Sequence, residues 1–259
     1  MIVFIMAGGL GKRMGSDLPK VCHQVKCFID NKFYPMIVHV ILTALGIDAK
    51  AIYVIVGKSK SVIEQVISKY LTPEQFKLIH WIHQEEPLGT GHAILCGLPE
   101  LKAHPNTPTI ILSGDVPLIT TYTLEELLGT GTTNKLLITE LDEPTGCGRI
   151  RLNNLGDSDQ VVKIIEEKDC EPEEREIKLV NCGIYQINSD DLVNLLPKIT
   201  SANKSNEYYL TDIIGLMQES NIPIEYYCLP KDQQYEIKNV NTKKDLEKLN
   251  ELMEIKSKF

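Results

Sequence analysis

The residues best suited to chemistry cluster near the start of the chain. The run Met6-Ala-Gly-Gly-Leu-Gly-Lys-Arg-Met-Gly-Ser-Asp-Leu-Pro-Lys20 combines close-set glycines with well separated cations. Gly8, Gly9 and Gly11 lack Cβ, so backbone amides there can approach phosphate oxygens closely. Arg13 offers a planar fork and Lys20 a point charge on the same loop. Two familiar phosphate loops do not match it. A Walker A loop needs G-x-x-x-x-G-K-[ST], yet Lys12 is followed by Arg13. The dinucleotide fingerprint needs G-x-G-x-x-G, and Gly15 arrives one residue late after Gly9 and Gly11. A polyphosphate ligand is one reading of this loop; a glycine-rich turn with incidental surface cations is the other.

The pattern A-G-G-x-G-x-R-M…P-K resembles the signature loop of sugar-1-phosphate nucleotidyltransferases. Gly15-Ser-Asp-Leu-Pro-Lys-Val-Cys-His23 is similar to the uridyltransferase domain of bacterial bifunctional N-acetylglucosamine-1-phosphate uridyltransferases. That resemblance implies that Arg13 and Lys20 hold the triphosphate and stabilise departing pyrophosphate, while Ala7, Gly8 and Gly9 approach the nucleotide. It continues through Gln84-Glu-Glu-Pro-Leu-Gly-Thr-Gly-His-Ala93, similar to the family's uracil-reading loop, where Gln84, Gly89 and Thr90 match base-contacting positions. A side-chain amide with backbone groups suits the mixed donor and acceptor edge of uracil. Pro87 stands where the family has a second Gln, and Ser113 where it has Tyr.

Ser113-Gly-Asp115 follows a buried-looking strand. By resemblance Asp115 binds Mg²⁺ with Asn241, a small oxygen set of the kind that ion accepts. Asn241 could instead cap the helix that follows it. Thr145-Gly-Cys-Gly-Arg-Ile150 matches T-G-Y-G-R-I except at Cys147, and Glu207-Tyr-Tyr-Leu-Thr-Asp212 matches E-Y-Y-x-T-D. The resemblance thereby implies a sugar site of Gly148, Glu166, Asn181, Tyr209 and Thr211. The implied reaction is Mg²⁺-dependent transfer from UTP to N-acetylglucosamine 1-phosphate, releasing pyrophosphate. The nucleophile is already ionised near neutral pH, so no histidine is assigned a catalytic role. Other readings are a glucose-1-phosphate uridylyl- or thymidylyltransferase, or a catalytically silent sugar-nucleotide-binding regulatory protein.

Positioning these groups requires an alternation of strands and helices. Met1–Met6, Ala51–Val56, Phe76–Ile82, Thr109–Leu112 and Lys135–Glu140 read as strands. Helical patterns run from Pro35 to Gly46, from Ser59 to Tyr70 and from Gly91 to Leu101. This predicts an α/β fold, a Rossmann-like doubly wound mixed sheet with a smaller β-rich sugar-binding lid. The lid begins with a hairpin, Gly148–Leu152 and Gln160–Glu166, turning through 153–157. A charged solvated stretch, Glu171–Glu176, precedes a strand at Leu179–Ile187; another strand at Ile222–Leu229 and a helix from Thr242 follow. The chain is expected to form one nucleotidyltransferase domain: about 1–145 the nucleotide core, about 146–241 the sugar part and returning strands, 242–259 a C-terminal helix.

With 43% hydrophobic residues the 259-residue chain can bury a sizeable core. A net charge of −8 argues against sequence-independent nucleic-acid binding, which needs a basic face. The longest stretch free of charged residues, Tyr34 to Ile47, is too short for a membrane span. Seven cysteines, scattered and without a Cys-x-x-Cys pair, suit reduced thiols in a cytoplasmic chain. No hexapeptide repeat is present, so acetyl transfer is not expected. The expected partners are small molecules, UTP and N-acetylglucosamine 1-phosphate. The oligomeric state is not legible.

Overall fold

The computed structural model describes residues 1–259 apart from Leu10, Phe28, Thr130, Thr132, Gly156, Asp157, Lys258 and Phe259. Its first strand, β1 (Ile2–Met6), is apolar throughout because both of its faces are covered. Val3 and Ile5 enter one core while Ile2 and Phe4 enter the other, the period of two that a strand imposes. A short hairpin, β2 (Gln24–Lys26) with β3 (Phe33–Pro35), comes next. It is followed by α1 (Met36–Gly46), β4 (Ile52–Val56), α2 (Lys60–Ile67), α3 (Pro73–Phe76) and β5 (Ile79–His83). Then come α4 (Thr90–Leu95), α5 (Leu98–Ala103), β6 (Pro108–Ser113), α6 (Thr121–Leu128) and β7 (Lys135–Glu140). The second half adds β8 (Arg149–Leu155), β9 (Ser158–Ile165), β10 (Leu179–Asn188), α7 (Ser189–Leu195), α8 (Asp212–Glu219), β11 (Glu225–Cys228) and α9 (Lys243–Lys256).

The sheet runs β11-β7-β10-β6-β1-β4-β5. Strand β10 is antiparallel to both neighbours, and the other pairings along this path are parallel. Helices α1, α2 and α6 contribute to the core on one face; α4, α5, α7 and α8 contribute to the other. The β8–β9 hairpin hangs from β10 through the Val180–Arg149 pair. The expected doubly wound mixed sheet with a β-rich appendage is therefore the fold. From β1 the chain steps outward to β4 and β5, then returns to the opposite side of β1 as β6. That reversal opens a crevice beyond the carboxyl ends of β1 and β6, where open α/β sheets bind ligands. Met6 pairs with Ser113 there, and the Gly114 amide donates to the Met6 carbonyl at 2.9 Å.

Several local expectations shift, and the strand expected over Ile222–Leu229 is confined to Glu225–Cys228. The strand expected from Phe76 begins at Ile79, because Thr72 and Gln75 close a capping box around the turn α3. The helix expected over Gly91–Leu101 is two, α4 and α5, since Pro99 has no amide to offer the preceding turn. The helix expected to reach Tyr70 ends at Ile67, and Ser59 takes the N-cap position without a side-chain hydrogen bond. Strands β8 and β9 extend to Leu155 and from Ser158; Gly156 and Asp157 of the expected turn lie outside the described residues. The β2–β3 hairpin was not anticipated. Among the described residues no helix is long and apolar enough to cross a membrane.

A third, smaller core holds the rim of the crevice. Met14, Val25, Met36, Leu118, Val240, Leu249 and Met253 are all buried together. Met14 adjoins Arg13, Val240 adjoins Asn241, and Leu118 lies three residues after Asp115. Helix α9 completes this core, with Thr242 and Asp245 forming its capping box. Met253→Ala at this fully buried position is expected to cost about 2–5 kcal/mol in chemical denaturation. A loss below ~0.5 kcal/mol, the range of surface substitutions, would contradict the packing described.

Candidate active site

One half of the crevice is a cavity of about 230 Å³ whose lining includes Ala7, Gly8, Gly9, Lys20, Gln84, Gly89, Thr90 and Asp115. In sequence these residues are spread from Ala7 to Asp115; the carboxyl ends of β1, β5 and β6 bring them together. Gly11 takes a left-handed φ of 58°, and a Cβ added there would stand 2.9 Å from the Lys20 Cβ. Glycine at this position lets the loop fold back against Lys20. Gly89 has φ 122°, and an added Cβ would lie 2.5 Å from the Tyr208 carbonyl oxygen. Two distant segments therefore meet backbone to backbone. The Gly91 amide donates to the Tyr208 carbonyl at 2.7 Å, and the Leu210 amide donates to Thr90 Oγ1 at 3.0 Å.

Lys20 stands at the centre. Its Nζ pairs with Asp115 Oδ2 and donates to Asn241 Oδ1 at 3.1 Å, while the Arg13 guanidinium reaches the same Asn241 oxygen at 3.2 Å. Ser113 Oγ donates to the other Asp115 oxygen at 2.6 Å, which aims the carboxylate. The Val240 amide donates to the Asp115 carbonyl at 2.9 Å, tying the two segments together beside their side chains. Thr242, not Asn241, caps α9, and Asp245 Oδ2 accepts the Asn241 amide at 3.1 Å. The Asn241 side chain thus faces the two cations and takes no part in the cap.

The other half is a cavity of about 320 Å³ that shares Met6, Thr90, Ser113 and Asp115 with the first. Gly148, Glu166, Asn181 and Thr211 line it, as do Cys147, Cys182, Tyr185 and Asn239. The pairing of β10 with β7 is irregular between Asn181 and Tyr185, where Gly183 has φ 72°. That irregularity turns the segment toward the cavity. Asn181 donates to the Tyr185 hydroxyl at 2.7 Å and accepts the Gly183 amide at 3.0 Å, which leaves one Nδ2 hydrogen available. Thr211 Oγ1 donates to Glu166 Oε1 at 2.9 Å. Burial pushes the Glu166 carboxyl above its ordinary range; the Thr211 hydrogen bond opposes this, and Asp212, Asp169 and Glu207 reinforce it.

Sequence reasoning left three contributors out. Arg149, 2% exposed, pairs with Glu167 Oε2 at 2.7 Å and also donates to the Cys147 carbonyl. The same Glu167 oxygen accepts the Gly146 amide at 3.0 Å, so an ion pair whose arginine end is buried fixes the loop over the second cavity. The Arg in T-G-Y-G-R-I was visible, but its target, in the turn that follows β9, was not. Glu207, which opens the matched motif without having been assigned a role, lines the first cavity, and Tyr185 lines the second. Tyr209 is half-buried and lines neither cavity. A larger cavity, about 500 Å³, lies apart against α1 and the start of α6. Its Asp30 and Tyr34 hydrogen-bond each other at 2.5 Å, and it shares no residue with the crevice.

Residues 3–147 match the MobA-like NTP transferase domain model. The chain is 41% identical over 253 residues to a protein of Acanthamoeba polyphaga mimivirus named "Probable UDP-N-acetylglucosamine pyrophosphorylase", covering 95% of this chain and 94% of that one. It is 34% identical over 254 residues to "Bifunctional protein GlmU" of Legionella pneumophila, covering 95% of this chain but 51% of that protein. It therefore spans about half the length of this bifunctional relative. A structure of UDP-glucose pyrophosphorylase with UDP-glucose superposes with a TM-score of 0.72 at 17% identity, covering 99% of this chain and all of that one. With the fold, the glycine loop and the matched model in agreement, the chain belongs to the MobA-like NTP transferase family and is a nucleotidyltransferase.

Proposed function

We propose that this protein transfers uridylate from UTP to N-acetylglucosamine 1-phosphate, giving UDP-N-acetylglucosamine and pyrophosphate. The observation that carries the reading is the pair of cavities meeting at Asp115. One is built for a nucleotide, with glycine amides and Gln84; the other is lined by hydroxyl, amide and carboxylate groups that suit a sugar. The single free Nδ2 hydrogen of Asn181 suits an N-acetyl carbonyl, which glucose lacks. The mimivirus relative's name, a probable UDP-N-acetylglucosamine pyrophosphorylase, supports the same sugar nucleotide.

The residues present also fit a hard divalent cation. Asp115 Oδ2 and Asn241 Oδ1, far apart in the chain, converge on one point, and a cation, the Lys20 ammonium, is what they hold there. Oxygen donors in this number suit Mg²⁺, which takes one or two protein ligands and leaves the rest to phosphate and water. Among the described residues no cluster of three His, Cys, Asp or Glu side chains offers an alternative cage. When bound, Mg²⁺ would neutralise charge on the reacting phosphates. Lys20 and Arg13 then turn to the triphosphate oxygens. The sugar-phosphate oxygen attacks the α-phosphorus, the bond to the pyrophosphate oxygen breaks, and positioning with electrostatic stabilisation supplies the rate. Glu166 accepts a sugar hydroxyl, and the Arg149–Glu167 pair keeps the loop at Gly148 in place.

The test is pyrophosphate release across a grid of UTP or dTTP with N-acetylglucosamine 1-phosphate or glucose 1-phosphate. UTP with the N-acetyl sugar is expected to give the highest kcat/KM. Equal turnover of glucose 1-phosphate would replace the sugar assignment. Binding of UDP-N-acetylglucosamine with no turnover of any pair would establish a regulatory protein instead. Asp115→Asn and Lys20→Ala are each expected to lower turnover on the order of 10²–10³-fold while the melting curve moves little.

Glu166 gives a pH test with a definite sign. Its native carboxyl keeps its proton to higher pH than the unfolded chain, which releases it near pH 4.3, so stability falls as pH rises from about that value through the raised native one. Glu166→Gln removes this loss. The variant is expected to match the wild-type Tm in acid and exceed it at neutral pH, while raising KM for the sugar phosphate. A Tm difference that does not grow with pH would contradict the burial cost assigned to this carboxylate.

A further inference from the structure

Gln84 is 7% exposed, and its amide hydrogens are both committed. Nε2 donates to the Gly89 carbonyl at 3.1 Å and to His92 Nδ1 at 3.1 Å. A carbonyl oxygen can only accept, so the Gly89 contact places the NH₂ on that side and Oε1 on the other. Oε1 faces Gly8, where an added Cβ would lie 3.2 Å away, and among the described residues no donor reaches it. The acceptor left over is thus turned toward the nucleotide cavity.

His92 sits in the first turn of α4, with its ring 6.2 Å from that of Tyr208. Two groups approach its Nδ1: the Gln84 amide and, at 3.9 Å, the Cys96 thiol. Both can donate. Nδ1 must therefore be the unprotonated nitrogen, with the ring proton on Nε2. Were Gln84 to flip, its Oε1 would confront the Gly89 oxygen and the Nδ1 lone pair together. Both contacts would be acceptor against acceptor.

We infer that His92 is a positioning residue for base selectivity, holding the Gln84 carboxamide so that only an acceptor faces the base. The inference rests on the uridine reading proposed above. A pyrimidine with a ring imide N–H, as in uracil, satisfies Oε1. Cytosine presents an unprotonated ring nitrogen at the same position and would need the flipped amide. Sequence spacing gave no sign of this, because His92 never touches the ligand in this account.

The test is calorimetric binding of UTP and of CTP to the full chain, in wild type, His92→Leu and His92→Asn. Wild type is expected to prefer UTP. Loss of one buried acceptor in His92→Leu is expected to narrow the UTP-to-CTP affinity ratio about tenfold. Asn places Oδ1 near the position of Nδ1, so His92→Asn is expected to keep the ratio. A ratio unchanged in His92→Leu would overturn the role of His92 and leave the uridine reading standing. Failure of wild type to bind UTP would overturn both. Should His92→Leu not fold, ¹⁵N resonances of the wild-type ring decide the matter. An Nε2–H tautomer is expected, and an Nδ1–H tautomer overturns the inference.

Discussion

The chemistry of the crevice converges on the Lys20 ammonium. It lies on a loop leaving β1, yet its partners come from the turn after β6 and from the segment before α9. An ammonium group with two oxygen partners draws three distant parts of the chain to one point. The pair is half-sheltered, with 14% and 15% exposure for Lys20 and Asp115, so its attraction is screened less than that of a surface bridge. In the reaction proposed above, the lysine holds the place a metal ion would take and turns to the triphosphate once that ligand and its cation arrive.

Everything around that point is arranged to aim it. Ser113 and the Val240 amide fix the Asp115 carboxylate and backbone, while Asp245 fixes Asn241 from the other side. The small core under Met14, Leu118, Val240 and Met253 binds these segments to α9 and β2. Glu236, 2% exposed, adds another tether by accepting from the Thr120 and Thr123 hydroxyls at 2.9 and 2.8 Å. These contacts join the end of the chain to its beginning. The second cavity is held differently, by an irregular strand and the Arg149–Glu167 pair, whose arginine end is buried. Its loop is therefore an independent part of the site, joined to the nucleotide half through Asp115.

Much of this was legible in sequence, because strand burial and glycine loops are local signals. The apolar run of β1 and the glycines after it located both the sheet and the nucleotide loop, and the structure gathers Ala7, Gly8, Gly9, Gln84, Gly89 and Thr90 into one cavity. Gly148, Glu166, Asn181 and Thr211 likewise meet in the second. What stayed hidden depends on contacts across long separations. The acceptor role of His92 exists only because β5 delivers Gln84 to the start of α4. Helix ends moved where a single residue decided them, Pro99 in one case and the Thr72 capping box in the other. Tyr209 matched its motif but lines neither cavity.

The central claim is that Asp115 and Asn241 form a cation position which Lys20 holds until the triphosphate arrives. The most direct measurement is an electron paramagnetic resonance titration of Mn²⁺ with the full chain and saturating UTP, in wild type and Asp115→Asn. The account predicts a protein-bound ion, at one per chain, whose signal depends on UTP and is lost in the variant. Equal Mn²⁺ binding by wild type and Asp115→Asn would contradict it.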